Sequence, residues 1–135
     1  MSKDWIAYHN VNNTGTKYRS LGQSVLYTRA AGNPQVGDKM WIIEGDGDKS
    51  PKVFSLVDCF IVESVDDVLP SQYKMMKKRV VAKQSLMLEK TPILINALKD
   101  EELLEPLKKY LKTSPSMTGA TDKLPALEAL LDLAS

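Results

Sequence analysis

The chain has 135 residues, a net charge of +1 and a pI near 7.8, with 43% hydrophobic and 26% charged residues. That length and balance predict one domain spanning 1–135 and exclude a disordered chain. The near-neutral charge excludes a polyanion binder of the histone type, so any nucleic-acid contact must come from a local patch.

Residues 1–90 are β-rich and residues 93–135 read as helical. Trp5, Ile6 and Tyr8 mark a first strand over Asp4–His9, and Asn10–Gly15 a loop of turn-favouring asparagines. Residues 24–29 fit either a short strand or a helical turn, and Gly32-Asn33-Pro34 is a turn. Lys39–Ile43 and Val53–Val65 are β-rich runs joined through Asp-Gly steps, a hairpin pattern. In the second run Val57, Cys59 and Ile61 alternate with Leu56, Asp58, Phe60 and Val62. Both faces are mostly apolar, as in a central or barrel strand.

A basic segment, 72–79, precedes a strand-like stretch over 80–88, which Pro92 stops. Asp100 is a candidate N-cap, followed by Glu101 and Glu102 and a stripe of Leu103, Leu104, Leu107 and Leu111. A last helix begins near Thr121 or Asp122, carries Pro125 in its first turn and buries Leu124, Leu127, Leu130 and Leu131.

Cys59 is the single cysteine, and its apolar context predicts a buried thiol. The opening residues lack the pattern of a signal peptide, and no apolar stretch approaches the roughly 18–20 residues that span a bilayer. The expected location is the cytoplasm, with no membrane association.

Little here suggests catalysis. His9 is the single histidine, no Gly-x-Ser-x-Gly elbow supports a serine triad, and one His with one Cys makes no ordinary zinc site. Glu44, Asp46, Asp48 and Ser50 hint at a calcium loop, but Lys49 and Ser55 stand where glycine and a bidentate acid are needed. No catalytic residue, metal or cofactor is predicted, and an uncharacterised hydrolase is the weaker alternative to a binding module.

Two patterns suit nucleic acid. Aromatic residues concentrate in the first third, and flat rings with polar tips are what stacking on a base requires. Trp5, Tyr8, His9, Asn10, Tyr18 and Trp41 are the candidate base pocket, with stacking from Tyr8, Trp5 or Trp41 and base-edge hydrogen bonds from His9 and Asn10. Arg19, Arg29, Lys74, Lys77, Lys78 and Arg79 are candidate phosphate contacts, as a solvated basic run also allows.

Val36-Gly37-Asp38-Lys39-Met40-Trp41-Ile42-Ile43, followed by the apolar strand around Leu56–Val65, resembles the PUA-like superfamily, most nearly its EVE branch. The later order adds to this: Leu88–Ile93, a helix from Leu98 through Leu111, Ser114–Thr118 and a closing Leu-rich helix. The Trp-x-Gly-Val-Arg-Asn segment of EVE domains is absent, and the stretch around Tyr18-Arg19-Ser20 or Tyr27-Thr28-Arg29 stands in for it. The resemblance implies an α+β fold, a small bent mixed β-barrel with flanking helices and a helical C-terminal segment. It also implies a bacterial reader of DNA or RNA whose pocket takes a flipped or modified base, working with a nuclease or other effector partner. The rival readings are a protein-interaction module docking through the Leu-rich last helix, and a small-molecule-binding protein of unknown ligand.

Overall fold

The computed structural model describes residues 2–10, 17–46, 53–73, 75–112 and 116–135. Seven strands form one mixed sheet: β1 (Asp4–Asn10), β2 (Val25–Thr28), β3 (Lys39–Asp46), β4 (Val53–Asp66), β5 (Lys78–Ser85), β6 (Ile93–Leu94) and β7 (Thr118–Gly119). Their order is β2-β5-β4-β3-β1-β7, with β6 paired to β4. Among the described residues only β1 and β3 run parallel; the other pairs are antiparallel. Two helices follow, α1 (Glu101–Lys112) and α2 (Leu124–Leu133). The segment 24–29, open between strand and turn, contains β2. The predicted hairpin connection over 47–52 lies outside the described residues.

β4 shapes the molecule. Its 14 residues pair with β3 through Ile61 and with β5 from Phe60 onward, so one strand belongs to both halves of the sheet and the sheet curls into a half-barrel. This is the α+β, PUA-like architecture expected from the motif order. The curl creates two cores. An inner one holds Trp5, Tyr18, Met40, Ile42, Val57, Phe60 and Val80. The other lies between the sheet and the helices and holds Ile6, Trp41, Leu56, Cys59, Leu104, Leu107, Leu127 and Leu130.

Simple alternation along β4 fails at one point. Ile42 pairs with Asp58 but Ile43 pairs with Leu56, so Val57 is an extra residue in a bulge. The bulge shifts the phase: Leu56 and Cys59 share the helix-side core, while Val57 and Phe60 face inward. The expected grouping of Val57 with Cys59 is therefore corrected. Cys59 is fully buried, and burial pushes its thiol up to about 12.

The turn before β3 has a specific chemistry. The Asp38 N–H donates to the Gln35 carbonyl at 3.0 Å, and Gly37 sits at φ +93°, as the third residue of a type II turn requires. The Asp38 carboxylate accepts from Gln35 N–H, Lys3 N–H and the Trp5 indole N–H, each at 2.9 Å. Burial works against the charge, but those hydrogen bonds prevail and hold the carboxyl below its usual range. A depressed pKa contributes stability that is present above about pH 3.9, the unfolded value, and is lost as pH falls through the folded one. Asp38→Asn should flatten that acid limb: urea midpoints at pH 6 and pH 3 should lie closer together than in the parent chain. An unchanged difference would refute the assignment.

The helices follow their sequence signals. Asp100 caps α1, its carboxylate accepting from Leu103 N–H at 3.0 Å. α2 begins at Leu124, with Pro125 in its first turn, and buries Ala126, Leu127 and Leu130. Leu124 and Leu131 pack against the same core, while Leu133 is 49% exposed. The apolar stripe that partner docking would use is thus spent inside the molecule. Among the described residues no helix is long and apolar enough to cross a membrane.

Candidate nucleic-acid interface

β1 and β3 end together, since Asn10 is level with Gly45. At that end the inner face turns polar. The His9 ring meets the Tyr18 ring edge-on, with centroids 5.6 Å apart. His9 Nε2 lies 3.8 Å from Glu44 Oε2, and the same oxygen accepts from the Tyr18 backbone N–H at 2.5 Å. His9 faces Glu44 because the parallel register sets them opposite. A 3-10 turn, Tyr18–Leu21, brings the phenol across them.

Beneath this group lies Asp58, a fully buried carboxylate. It accepts from the Tyr18 hydroxyl at 2.6 Å, the Ser24 hydroxyl at 2.5 Å and the Ser85 hydroxyl at 2.7 Å. Its own neighbour, Cys59 N–H, donates at 2.8 Å. The bulge at Val57 aims the carboxylate inward, where the hydroxyls converge. Burial, then the Asp58 charge, pushes the Tyr18 phenol far above its ordinary range, so it stays a neutral donor. The Tyr18 oxygen in turn accepts from Val25 N–H at 3.1 Å, tying the start of β2 to the cluster.

The five aromatic and polar candidates whose side chains are described do not line one pocket, because a strand sends successive side chains to opposite faces. Trp5, His9 and Tyr18 belong to the inner side, whereas Tyr8 and Trp41 pack on the helix side. Trp5 is at the far end of β1, its indole held by Asp38 and its ring under the Lys3 ammonium at 4.2 Å. The Trp41 indole N–H donates to Asp4 at 2.8 Å. Tyr8 meets Phe54 edge-on at 6.2 Å. The Asn10 side chain lies outside the described residues. Of the five described, the structure brings together only His9 and Tyr18 at this end.

The basic candidates divide similarly. The Arg19 guanidinium donates to the carbonyls of Val57, Leu88 and Met87 at 2.9, 2.9 and 3.2 Å, so it is a tie within the fold. Arg79 is bidentate on Asp66 at 2.9 and 2.7 Å. The Lys78 ammonium donates to the Gly32 carbonyl at 2.5 Å. Arg29 and Lys77 are exposed, and neither is in an ion pair among the described residues. Lys74 lies outside the described residues.

Sequence reasoning passed over Glu44, Asp58, Ser24 and Ser85. Asp58 had a visible signal, an acid in the middle of an apolar strand. Glu44 stands in the sequence among the acidic residues that hint at a calcium loop. Among the described residues no three His, Cys, Asp or Glu side chains gather into a metal site.

No family model matches the chain, and no curated protein does. Solved structures do. The ASCH protein from Zymomonas mobilis superposes with a TM-score of 0.52 at 14% identity, over 98% of this chain and 96% of that one. A tyrosine-to-phenylalanine variant of it gives 0.55 at 15% identity, over 98% and 99%. A serine-to-alanine variant gives 0.56 at 15% identity, over 98% and 97%. The fold is ASCH-like. ASCH domains have a PUA-like fold, so the likeness agrees with the fold expected from the Val36–Ile43 motif and extends to fold alone. These neighbours are ASCH proteins rather than EVE domains. The ASCH-like curl is what puts His9, Tyr18 and Glu44 at one end of a half-barrel.

Proposed function

We propose that this ASCH-like chain binds nucleic acid, RNA in the first instance, and acts as a reader that takes one unstacked base against the inner end of the half-barrel. The observation that carries this is the Glu44 carboxylate. It is held by the Tyr18 main chain, sits beside the His9 imidazole and keeps 15% of its side chain exposed at the end of β3. A fixed carboxylate accepts from the exocyclic amine of a base, and an imidazole supplies a second base-edge hydrogen bond. The His9 ring lies at this end, backed edge-on by the buried Tyr18 ring. A modification on the amine would change what Glu44 meets, which is how such a site would distinguish a modified base, as the EVE-like reading also has it. The arrangement is proposed to bind rather than turn over.

The test is a titration with short single-stranded RNA, single-stranded DNA and duplexes, with and without modified cytosine or adenine, at two salt concentrations. Glu44→Gln keeps an oxygen for Tyr18 N–H but removes the charge. It should weaken binding about tenfold, on the order of 1.4 kcal/mol, while the parent chain returns the oligonucleotide intact. Absence of binding to every oligonucleotide at low salt would refute the reading, and cleavage would replace it with a catalytic one.

A further inference from the structure

We infer that the outer surface of β2 and β5, from the Tyr27–Tyr73 stack to Arg29 and Lys77, is a second contact for the same nucleic-acid strand and binds its phosphates. This rests on the reading just given.

The surface is built, though neither core uses it. Tyr27 pairs across the strands with Arg79, and Arg79 with Asp66, so the three form one row over β2, β5 and β4. Tyr73, from a 3-10 turn at Ser71–Tyr73, stacks on Tyr27 with centroids 4.3 Å apart and planes 17° from parallel. Tyr73 is buried beneath Tyr27, which is partly exposed, and neither ring belongs to the inner core or the helix-side core. Arg79 neutralises Asp66 and holds its carboxyl below the usual range. The row is therefore rigid and adds no net charge.

Beyond the last paired residues, Thr28 and Lys78, the chain presents Arg29 and Lys77. The Lys77 N–H donates to the Thr28 carbonyl at 3.0 Å, which keeps the two segments together. Lys78 is held by the Gly32 carbonyl and Arg79 by Asp66, so Arg29 and Lys77 are the exposed cations at this end of the two strands. Neither Arg29 nor Lys77 is in an ion pair among the described residues, so the pair presents two positive charges side by side. A phosphate is the complementary ligand.

β2 supplies the path. Its first residue, Val25, donates to the Tyr18 hydroxyl beside the candidate base site. Arg29 follows four residues later, about 13 Å along an extended strand. A single strand with one base at His9 and Glu44 would cover that distance within a few nucleotides, inside the 4–16 nucleotides typical of barrel-type single-strand binders. Phosphates then meet Arg29 and Lys77, with the tyrosine stack as a firm shoulder beside them.

The experiment compares single-stranded RNAs of one to eight nucleotides on the parent chain, on Arg29→Ala/Lys77→Ala, and on Glu44→Gln. In the parent chain affinity should climb over the first several nucleotides. The double variant should lose that climb, about tenfold or more at low salt. Its log-affinity against log-salt slope should fall by about 1.4, the value for two phosphate contacts on a single strand. Both side chains are exposed, so the melting temperature should hold. An unchanged slope and length dependence would overturn this inference alone. Binding of the shortest RNAs that ignores Glu44→Gln would overturn the base-site reading alone. No binding at any length would overturn both.

Discussion

Asp58→Ala should cost about 3–5 kcal/mol of stability, because it strands several buried donors at once. The carboxylate receives hydroxyl hydrogen bonds from Tyr18, Ser24 and Ser85 at 2.5–2.7 Å and one from Cys59 N–H. These partners come from before β2, from β4 and from the end of β5, so no local rearrangement can satisfy them together. Water has no easy route either, since Asp58 is 0% exposed. For a chain of this length the melting temperature should drop by roughly 10–20 °C. Asp58→Asn retains a side chain that can accept and donate, and should fall between the parent and the alanine variant. If Asp58→Ala melts within about 2 °C of the parent chain, the carboxylate is not the hub its geometry indicates. Because Tyr18 backs His9 and holds Glu44 through its main chain, the asparagine variant should also weaken oligonucleotide binding.

Trp41→Ala should be as damaging for a different reason. Trp41 is wholly buried in the core between sheet and helices, and truncating a buried tryptophan costs about 3–5 kcal/mol through lost burial and the cavity left behind. A second effect rides on it, because the indole N–H donates to Asp4 at 2.8 Å. Trp41→Phe separates the two. It keeps most of the apolar volume and loses the hydrogen bond, and should cost about 1–2 kcal/mol. Chemical denaturation of the two variants gives the comparison. Near-equal losses would mean that the hydrogen bond, not packing, dominates. Neither variant should alter the salt dependence of binding, since Trp41 faces away from His9 and Glu44.

That separation of Trp41 from His9 explains why a site read from aromatic density dissolved in three dimensions. The tryptophans and tyrosines of the first third are real features of the chain, but a strand distributes them by parity. Tyr8 and His9 are neighbours in sequence and sit on opposite faces of the sheet. Likewise the basic residues were legible as charges, yet whether a cation is free depends on what folds against it. Arg19 ends on three carbonyls and Arg79 on Asp66, while Arg29 and Lys77 remain at the surface.

What the sequence by itself determined was local. The Gly37 turn needs a residue that tolerates positive φ, and Asp38 beside it can gather nearby N–H groups. Asp100 can cap the helix that follows it, and leucine spacing decides which face of each helix is apolar. These depend on residues within one turn or one strand, so the chain displays them directly, and their order already pointed to a PUA-like fold. Tertiary structure decided the rest. The bulge at Val57 shows only when β4 is set against β3, because alternation within one strand does not reveal where its partner is a residue short. That single extra residue turns Asp58 inward, and the curl of β4 brings Ser24 and Ser85 to it from distant parts of the chain. The parallel pairing of β1 with β3 sets Glu44 opposite His9, 35 positions apart in the numbering. Such pairings are long-range and follow from sheet register and burial together, so the candidate site became visible only in the folded molecule.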